Sequence, residues 1–225
     1  MSGRSRRDPR QARFCSAASA GWVIRRRAYS PWHIRRWIRF AIFRLRHPEV
    51  ITEGFVFLGK RVTIQARTGY GRLILGAWVH VGDDTAIRCH EGTMRIGEKC
   101  VFGADVTVNG YLDVEFGAGV LIADDVYVSD FDHRTDDASR PIRHQGIVTA
   151  PVRIGPDVWL GTKSVVTRGV QIGRGAVVGA ASVVTRDLPP YAVAVGAPAR
   201  VVGTRLASGP DARRTARARG GQTAR

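Results

Sequence analysis

A six-residue periodicity in the second half of the chain constrains the fold more than any other feature. From residue 154 onward, six consecutive hexads each open with an aliphatic residue that is followed by Gly or Thr. These openings are Ile154, Leu160, Val166, Ile172, Val178 and Val184. A single hexad cannot bury its apolar side, but stacked repeats make a continuous core. The period therefore predicts a solenoid.

The same register extends upstream, interrupted by short slips. Its further openings are Leu75, Val81, Ile87, Ile96, Phe102, Val108, Phe116, Ile122, Val128 and Val148. One extended segment per hexad predicts a triangular all-β solenoid, with about 18 residues and three strands in each coil. An antiparallel sandwich of short strands would alternate with a period of two residues, so the period of six favours the solenoid.

The positive charge is concentrated at the two ends of the chain. Residues 1–50 carry 13 Arg and two acidic residues, and residues 204–225 carry six Arg and one acidic residue. Because the whole chain has a formal charge of +16, the segment between the ends is neutral. A dedicated nucleic-acid binder would place basic residues along a folded surface, so we expect no nucleic-acid partner.

Cysteine usage and hydropathy indicate a cytoplasmic protein. The three cysteines, Cys15, Cys89 and Cys100, are odd in number and form no CxxC motif, so neither a disulfide framework nor a zinc site is indicated. No run of 18 apolar residues predicts a membrane span. The start of the chain lacks the pattern of a secretory signal.

The N-terminal region predicts a basic amphipathic helix. Ser30 and Pro31 resemble an N-cap and a first helical residue, and a helix over residues 32–47 would end at Pro48. Its apolar stripe consists of Ile34, Trp37, Ile38, Ala41 and Leu45. Such a helix either covers the open end of the first coil or lies on an anionic membrane surface, and both roles are compatible.

Four segments follow from these patterns. Residues 1–29 form a basic disordered arm, and residues 30–69 contain the helix and a lead-in. Residues 70–203 form the solenoid, and residues 204–225 form a basic flexible tail.

The hexads, and two longer segments, resemble the hexapeptide-repeat acyltransferases. The segments are VLIADDVYVSDFDH and APVRIGPDVWLGTKSVVTRG with its continuation to APARVV. They are most similar to the maltose and galactoside O-acetyltransferase branch and its polysaccharide-modifying relatives. The resemblance implies a left-handed parallel β-helix, a cyclic homotrimer, and acetyl-CoA as cosubstrate bound in a groove between neighbouring solenoids. We expect no metal requirement.

The one long interruption of the repeat carries the candidate base. Residues 129–147 contain His133 and His144, and imidazole suits proton removal from an attacking hydroxyl near neutral pH. His133 aligns with the catalytic histidine of the resembled branch, whereas His144 lies in the less constrained part of the loop. Asp130 or Asp132 could orient the His133 ring, or both could simply be solvated.

The resemblance also implies positions for the acceptor and the cosubstrate. An acceptor-binding Asn of the branch is replaced here by Gly103, so Asp105, Asn109 and Asp130 are the candidate acceptor contacts. The implied coenzyme A contacts are Trp159 beside the pantetheine, backbone groups of Thr162 and Ala180, and Thr185, Arg186 and Arg200 near the phosphates.

These observations predict a coenzyme A-dependent O-acetyltransferase that acts on a carbohydrate or a glycolipid or polysaccharide precursor. Transfer would be direct, since no Ser or Cys has a motif-defined partner base. Two alternatives stay open: an N-acetyltransferase for a nucleotide-linked amino sugar, and a non-catalytic scaffold. A γ-type carbonic anhydrase shares the solenoid, but its closely spaced metal-binding histidines are absent.

Overall fold

Three parallel sheets form the faces of a triangular solenoid. The computed structural model describes residues 10–11 and 17–207. Strands β1 to β3 are Ile51–Thr52, Val56–Leu58 and Thr63–Ala66; β4 to β6 are Gly71–Leu75, Val79–Val81 and Ala86–Cys89; β7 to β9 are Gly92–Ile96, Val101–Phe102 and Thr107–Gly110; β10 to β12 are Asp113–Phe116, Leu121–Ile122 and Tyr127–Ser129. Each set of three strands makes one coil.

A hairpin then leaves the coils before they resume. It consists of β13 (Phe131–His133) and β14 (Ile147–Thr149), with a 3-10 turn at Ile142–His144. The later strands are β15 to β17 (Val152–Ile154, Trp159–Leu160, Val165–Val166), β18 to β20 (Gln171–Ile172, Val177–Val178, Val183–Val184), β21 (Ala192–Val195) and β22 (Arg200–Thr204). A second 3-10 turn follows at Arg205–Ala207.

Strands of successive coils pair in register to build the faces. Sheet A has the order β1-β4-β7-β10-β15-β18, sheet B has β2-β5-β8-β11-β16-β19-β21-β22, and sheet C has β20-β17-β12-β9-β6-β3. All pairs within these sheets are parallel except β21 with β22, which forms an antiparallel end. We call the turn from sheet B to sheet C the B–C corner and the turn from sheet C to the next coil the C–A corner.

The predicted inward residues fill the core. The openings from Ile154 to Val184 are at most 2% exposed, as are those from Leu75 to Val128. Gly161 shows why the second hexad position is often Gly. A Cβ there would lie 2.7 Å from the backbone nitrogen of Ala180 in the next coil, which is too close for a side chain. The six-residue register and the all-β solenoid are therefore confirmed.

Two details of the repeat register differ from the prediction. Coil one begins at Ile51, upstream of the expected boundary at residue 70, because β1 to β3 pair with β4 to β6 despite lacking regular hexads. Val148 does not open a core hexad. It lies in β14 and pairs with Asp132 in the hairpin, since the chain returns to the coils only at Val152.

The N-terminal arm contains a helix that its composition did not indicate. Helix α1 spans Ala17–Arg25, inside the arm expected to be disordered, and its alanines have high helix propensity. The disorder expected for residues 1–9 and 12–16 of the arm concerns residues outside the described ranges. The same holds for the flexible tail expected beyond residue 207.

Helix α2 spans Pro31–Arg46 with Ser30 as N-cap, close to the predicted bounds, but a different face is buried. Phe40 and Phe43 join the core, whereas Ile38 is 54% and Leu45 is 83% exposed. The Phe40 ring lies 4.9 Å from the Phe55 ring just before β2. Bulky aromatic rings bury more apolar area than the aliphatic stripe, so they decide the orientation. No helix of the described residues is long and apolar enough to cross a membrane.

Candidate active site

The hairpin at the C–A corner of coil four presents His133. Ser129 ends β12, and its hydroxyl accepts a hydrogen bond from the backbone N–H of Phe131 at 3.3 Å. Antiparallel pairing of His133 with Ile147 then carries the imidazole away from the coils. The ring is exposed and makes no hydrogen bond with the described residues. It is therefore accessible to a substrate hydroxyl.

A column of rings supports the base of this hairpin. The Phe131 ring centroid lies 4.6 Å from that of Tyr111 in coil three, which lies 4.6 Å from that of His90 in coil two. The His133 ring is 6.4 Å from Phe131. We call His90, Tyr111 and Phe131 the aromatic column. It links His133 to the corners of two preceding coils.

Asp130 has a structural role and does not contact His133. Its side chain is 0% exposed, and its carboxylate accepts hydrogen bonds from the backbone N–H groups of Tyr111, Leu112 and Asp113, each at 2.8 Å. Both oxygens are thus engaged in the corner of coil three. The acceptor contact suggested for Asp130 by the sequence is not available in this geometry.

The alternative orienting carboxylate also faces elsewhere. Asp132 accepts a hydrogen bond from Nε of Arg168 at 2.7 Å. His144 lies on the tip of the excursion, where its Nε2 accepts a hydrogen bond from Nε of Arg143 at 2.9 Å. The structure therefore brings neither Asp132 nor His144 to the His133 ring.

Four of the residues implied for coenzyme A lie together near the B–C corners of the last coils. Trp159 on β16 is 48% exposed on the outer face of sheet B. Thr162 and Ala180 occupy equivalent corner positions in successive coils, and the Ala181 N–H donates to the Thr162 carbonyl at 2.8 Å. Arg200 follows a loop whose Ala199 N–H donates to Val183 at 2.8 Å.

Within the described ranges, the backbone N–H groups of Thr162 and Ala180 lack the acceptor that caps equivalent positions in two earlier coils. In earlier coils an aspartate of the next coil caps the corner: Asp83 accepts from the Lys60 N–H and Asp124 from the Ala104 N–H, both at 2.8 Å. The N–H groups of Thr162 and Ala180 donate to no acceptor among the described residues. Donors of this kind suit the amide carbonyls of a bound substrate.

The remaining predicted contacts are spread over the coils. Thr185 and Arg186 are exposed at the C–A corner after β20, across sheet C from Ala180. Asp105 lies at the B–C corner of coil three with φ of 56°, far from the hairpin. Asn109 lies on the outer face of β9, in register with Ser129 of the next coil.

His133 and Trp159 of one chain lie on different sides of the solenoid. His133 leaves the C–A corner, whereas Thr162 and Trp159 flank the B–C corner. The intervening width of sheet C, about five residues, is on the order of 15 Å. The candidate base and the candidate coenzyme A contacts of one chain therefore lie on separate surfaces.

The described thiols are unsuited to nucleophilic catalysis. Cys89 and Cys100 are 1% and 0% exposed, and burial raises the pKa of each thiol to about 11. Both are therefore protonated near neutral pH, and the thiolate is the nucleophilic form. Cys15 lies outside the described residues. Within residues 10–11 and 17–207, no group of three or more His, Cys, Asp and Glu could hold a metal ion.

Comparisons with known proteins agree with this architecture. Residues 151–186 match the bacterial transferase hexapeptide family of six repeats. Over 202 residues the chain is 52% identical to the probable acetyltransferase Rv3034c of Mycobacterium tuberculosis (strain ATCC 25618 / H37Rv), which covers 90% of this chain and 67% of that protein. The chain belongs to the hexapeptide-repeat acyltransferases. The family resemblance expected from the hexads is confirmed.

Solved structures show that this acyltransferase shares its fold with distant enzymes. A variant of AntD, an N-acyltransferase from Bacillus cereus in complex with dTDP and coenzyme A, is 20% identical with a TM-score of 0.60 and covers 79% of this chain and 93% of its own. The polySia-specific acetyltransferase NeuO is 21% identical with a TM-score of 0.50 and covers 72% and 90%. The expected left-handed parallel β-helix is the shared architecture.

The aromatic column of the acyltransferase was not found from sequence. His90, Tyr111 and Phe131 recur at intervals of one coil, and each lies three residues after a hexad opening, namely Ile87, Val108 and Val128. A search for aromatic residues spaced by about 20 positions would have detected them. The hexad register itself gives no weight to these corner positions.

Proposed function

We propose that the protein is a coenzyme A-dependent O-acetyltransferase with His133 as general base and a carbohydrate or a glycolipid or polysaccharide precursor as acceptor. The observation that carries the proposal is the position of His133. It is an exposed imidazole on the single excursion of the described coils, within the motif that resembles the galactoside branch. Within the described part of the chain its ring nitrogens have no hydrogen-bond partner, so they are available to an incoming hydroxyl.

The proposed chemistry is a direct displacement. The acceptor oxygen attacks the thioester carbonyl carbon while His133 removes the hydroxyl proton, and the C–S bond breaks to release coenzyme A as its thiolate, which recovers a proton. Holding both substrates in one orientation supplies much of the rate. An open corner N–H, such as that of Thr162, is suited to stabilise the oxyanion.

The proposed cosubstrate site combines the exposed face of Trp159 with the open N–H groups of Thr162 and Ala180 and the charge of Arg200. Thr185 and Arg186 are proposed as phosphate contacts from a different corner. Guanidinium groups suit phosphate because they donate in a fork. We propose Asn109 as an acceptor contact, because it lies one coil from Ser129, at the base of the hairpin.

A homotrimer would complete this site. Because His133 and the Trp159 corner are separated within one chain, the proposal places one of the two surfaces on a neighbouring copy. Sheet B presents exposed apolar side chains in register, among them Val101, Leu121 and Trp159. Burial of such a row against a second copy is favourable, and a closed ring of three copies would form three equivalent sites.

We also propose a cytoplasmic enzyme that associates peripherally with the inner membrane face. On α2 the outward row contains Ile34, Ile38 and Leu45, and residues 9–48 contain ten Arg and no acidic residue. An apolar row flanked by arginines suits an anionic lipid surface. The packing of Phe40 and Phe43 on the first coil leaves this row free.

The test of the base is turnover of His133→Ala with labelled acetyl-CoA and a panel of sugar acceptors, read by mass spectrometry. Turnover should fall by about 10² to 10⁴-fold, while coenzyme A affinity stays unchanged. His144→Ala is the matched control, since it removes the other loop imidazole, and it should retain activity. Near wild-type turnover of His133→Ala would show that His133 is not the base.

The panel should include a nucleotide-linked amino sugar, since an amine acceptor would use the same base and cosubstrate. N-acetylation of this compound with no O-acetylated product would replace the hydroxyl acceptor in the proposal. Absence of coenzyme A binding would favour the scaffold alternative.

A further inference from the structure

A pocket of about 350 Å³ lies at the C–A corners of the first two coils. Its polar lining consists of His47, Glu49, Gln65, Arg67, Arg88 and His90. We call it the corner pocket. Its walls come from the segment after α2 and from the corner turns, and none of the roles proposed above uses its two arginines.

The donors in the corner pocket outnumber the acceptors. Arg88 is half-buried and makes no hydrogen bond or ion pair with the described residues. The Arg67 guanidinium lies 4.2 Å from the Tyr70 ring centroid and 3.3 Å from Glu91 at an exposed position. The lining carboxylate, Glu49, is 3.0 Å from Nδ1 of His47.

A partly buried guanidinium without an acceptor favours an anionic ligand. Removing a charge from water costs free energy unless a partner replaces the lost hydration. The planar fork of Arg matches the two oxygens of a carboxylate or phosphate. Gln65 adds an exposed amide beside it, in register with Arg88 on the outer face of sheet C.

Residues in register on sheet C lead from the corner pocket to the base of the hairpin that carries His133. Gln65, Arg88, Asn109 and Ser129 are aligned across four successive coils. Coil spacing of about 4.8 Å places Arg88 roughly 10 Å from the level of Ser129. His90 belongs to both the pocket and the aromatic column, whose stacked rings run along the same corner towards the hairpin.

We propose that the corner pocket binds an oxyanion of the acceptor, a phosphate or a carboxylate, while the hydroxyl that receives the acetyl group lies at His133. This inference rests on the proposed role of His133 as base. The acceptor is then an acidic carbohydrate or a sugar phosphate rather than a neutral monosaccharide. Arg88 and Arg67 hold the charged group, and Asn109 contacts the sugar between it and His133.

The experiment is calorimetric titration of the full-length protein with glucose 1-phosphate, glucuronic acid and glucose. Saturating coenzyme A is present throughout, so that phosphate-binding groups of the cosubstrate site are occupied. At least one charged probe should bind more tightly than glucose, and its affinity should decrease with added salt. The ranking of the phosphate and the carboxylate identifies which oxyanion the pocket prefers.

Arg88→Gln should weaken binding of the charged probe by roughly tenfold to a hundredfold, with coenzyme A affinity unchanged. Arg95→Gln is the matched control: Arg95 lies in the next coil on sheet A, where Asp113 pairs with it at 3.1 Å, and its loss should not alter probe binding. Equal binding of glucose, no binding of either charged probe, or an unchanged affinity in Arg88→Gln would overturn the proposal.

Different results would contradict the corner-pocket proposal and the proposed role of His133. Probe binding is measured without turnover, so it remains informative if no acetylated product is ever found. His133→Ala should bind the charged probe like the wild-type protein. If acetyl transfer to neutral acceptors proceeds normally in Arg88→Gln and no charged probe binds, the corner pocket is excluded while the role of His133 stands.

Discussion

Asp130 holds the chain at the point where it leaves the regular coils. Its buried carboxylate accepts three backbone hydrogen bonds from the turn between coils three and four. Its own carbonyl accepts one from Ala150, just after β14, at 2.9 Å. The excursion is thus anchored at both ends. Asp130 organises the hairpin that carries His133 through backbone hydrogen bonds rather than through contact with the imidazole ring.

Asp130→Ala should therefore destabilise the fold. Three buried N–H groups would lose their acceptor, and the expected loss is about 2–4 kcal/mol in the free energy of unfolding. Asp132→Ala is the control, because Asp132 is exposed and its ion pair with Arg168 contributes at most about 1 kcal/mol. Chemical denaturation of both variants checks the difference, and similar losses would contradict the structural role of Asp130.

The same neighbourhood shows the limit of motif reasoning. Asp130 and Asp132 both closely precede His133 in sequence, and either was a reasonable orienting partner. In a strand, neighbouring side chains point to opposite faces, and at a corner the direction depends on the turn. Only the tertiary structure shows that Asp130 points towards the corner of coil three and Asp132 towards Arg168.

Strands of two or three residues are stable here because each pairs with strands above and below it. In β18, Ile172 is 2% exposed, whereas Gln171 faces outward and lies in register with Arg153 of the preceding coil. One side chain per strand therefore carries most of the burial. The inward residue should be intolerant of charge, and its neighbour should not.

Ile172→Asp should cost about 4 kcal/mol or more, because it buries an unpaired carboxylate. Gln171→Asp should change stability by less than about 1 kcal/mol, since the new carboxylate is exposed and faces Arg153. Thermal unfolding of the two variants compares them directly. Equal effects would overturn the inward and outward assignment of the hexads.

Helix α2 illustrates how packing selects one face among several apolar ones. Its bounds followed from Ser30, Pro31 and Pro48. Of the predicted apolar stripe, Trp37 packs against the core, whereas Ile34, Ile38 and Leu45 are exposed. The buried face of α2 is determined by Phe55, just before β2. Its ring centroid lies 4.9 Å from that of Phe40 and 3.7 Å from that of Trp37. No pattern within the helix itself contains that information.

At the scale of the whole molecule, the proposed roles of the neutral solenoid and of the basic N-terminal region are separable. The exposed row of α2 lies on the helix surface that faces away from the first coil. Replacing the apolar side chains of this row should leave the coils and the position of His133 unchanged. Membrane association and acetyl transfer can therefore be tested independently in one protein.

Replacing both Ile38 and Leu45 with Ser should weaken binding to phosphatidylglycerol-containing vesicles by roughly tenfold, because the apolar contact with the lipid is reduced. Leu206→Ser is the matched control, since Leu206 is 72% exposed at the opposite end of the solenoid. Vesicle sedimentation at low and high salt measures both variants. Unchanged sedimentation of the double variant would contradict a membrane role for α2.

The sequence by itself determined the solenoid, its inward residues and the position of the excursion. These features depend on a local period, which sterics and burial impose on every coil in the same way. The start of coil one at Ile51, the buried face of α2, the backbone role of Asp130 and the aromatic column were decided only by the tertiary structure. Each depends on which residues from separate parts of the sequence come into contact, and a six-residue period specifies the inward positions of each coil but not those particular contacts.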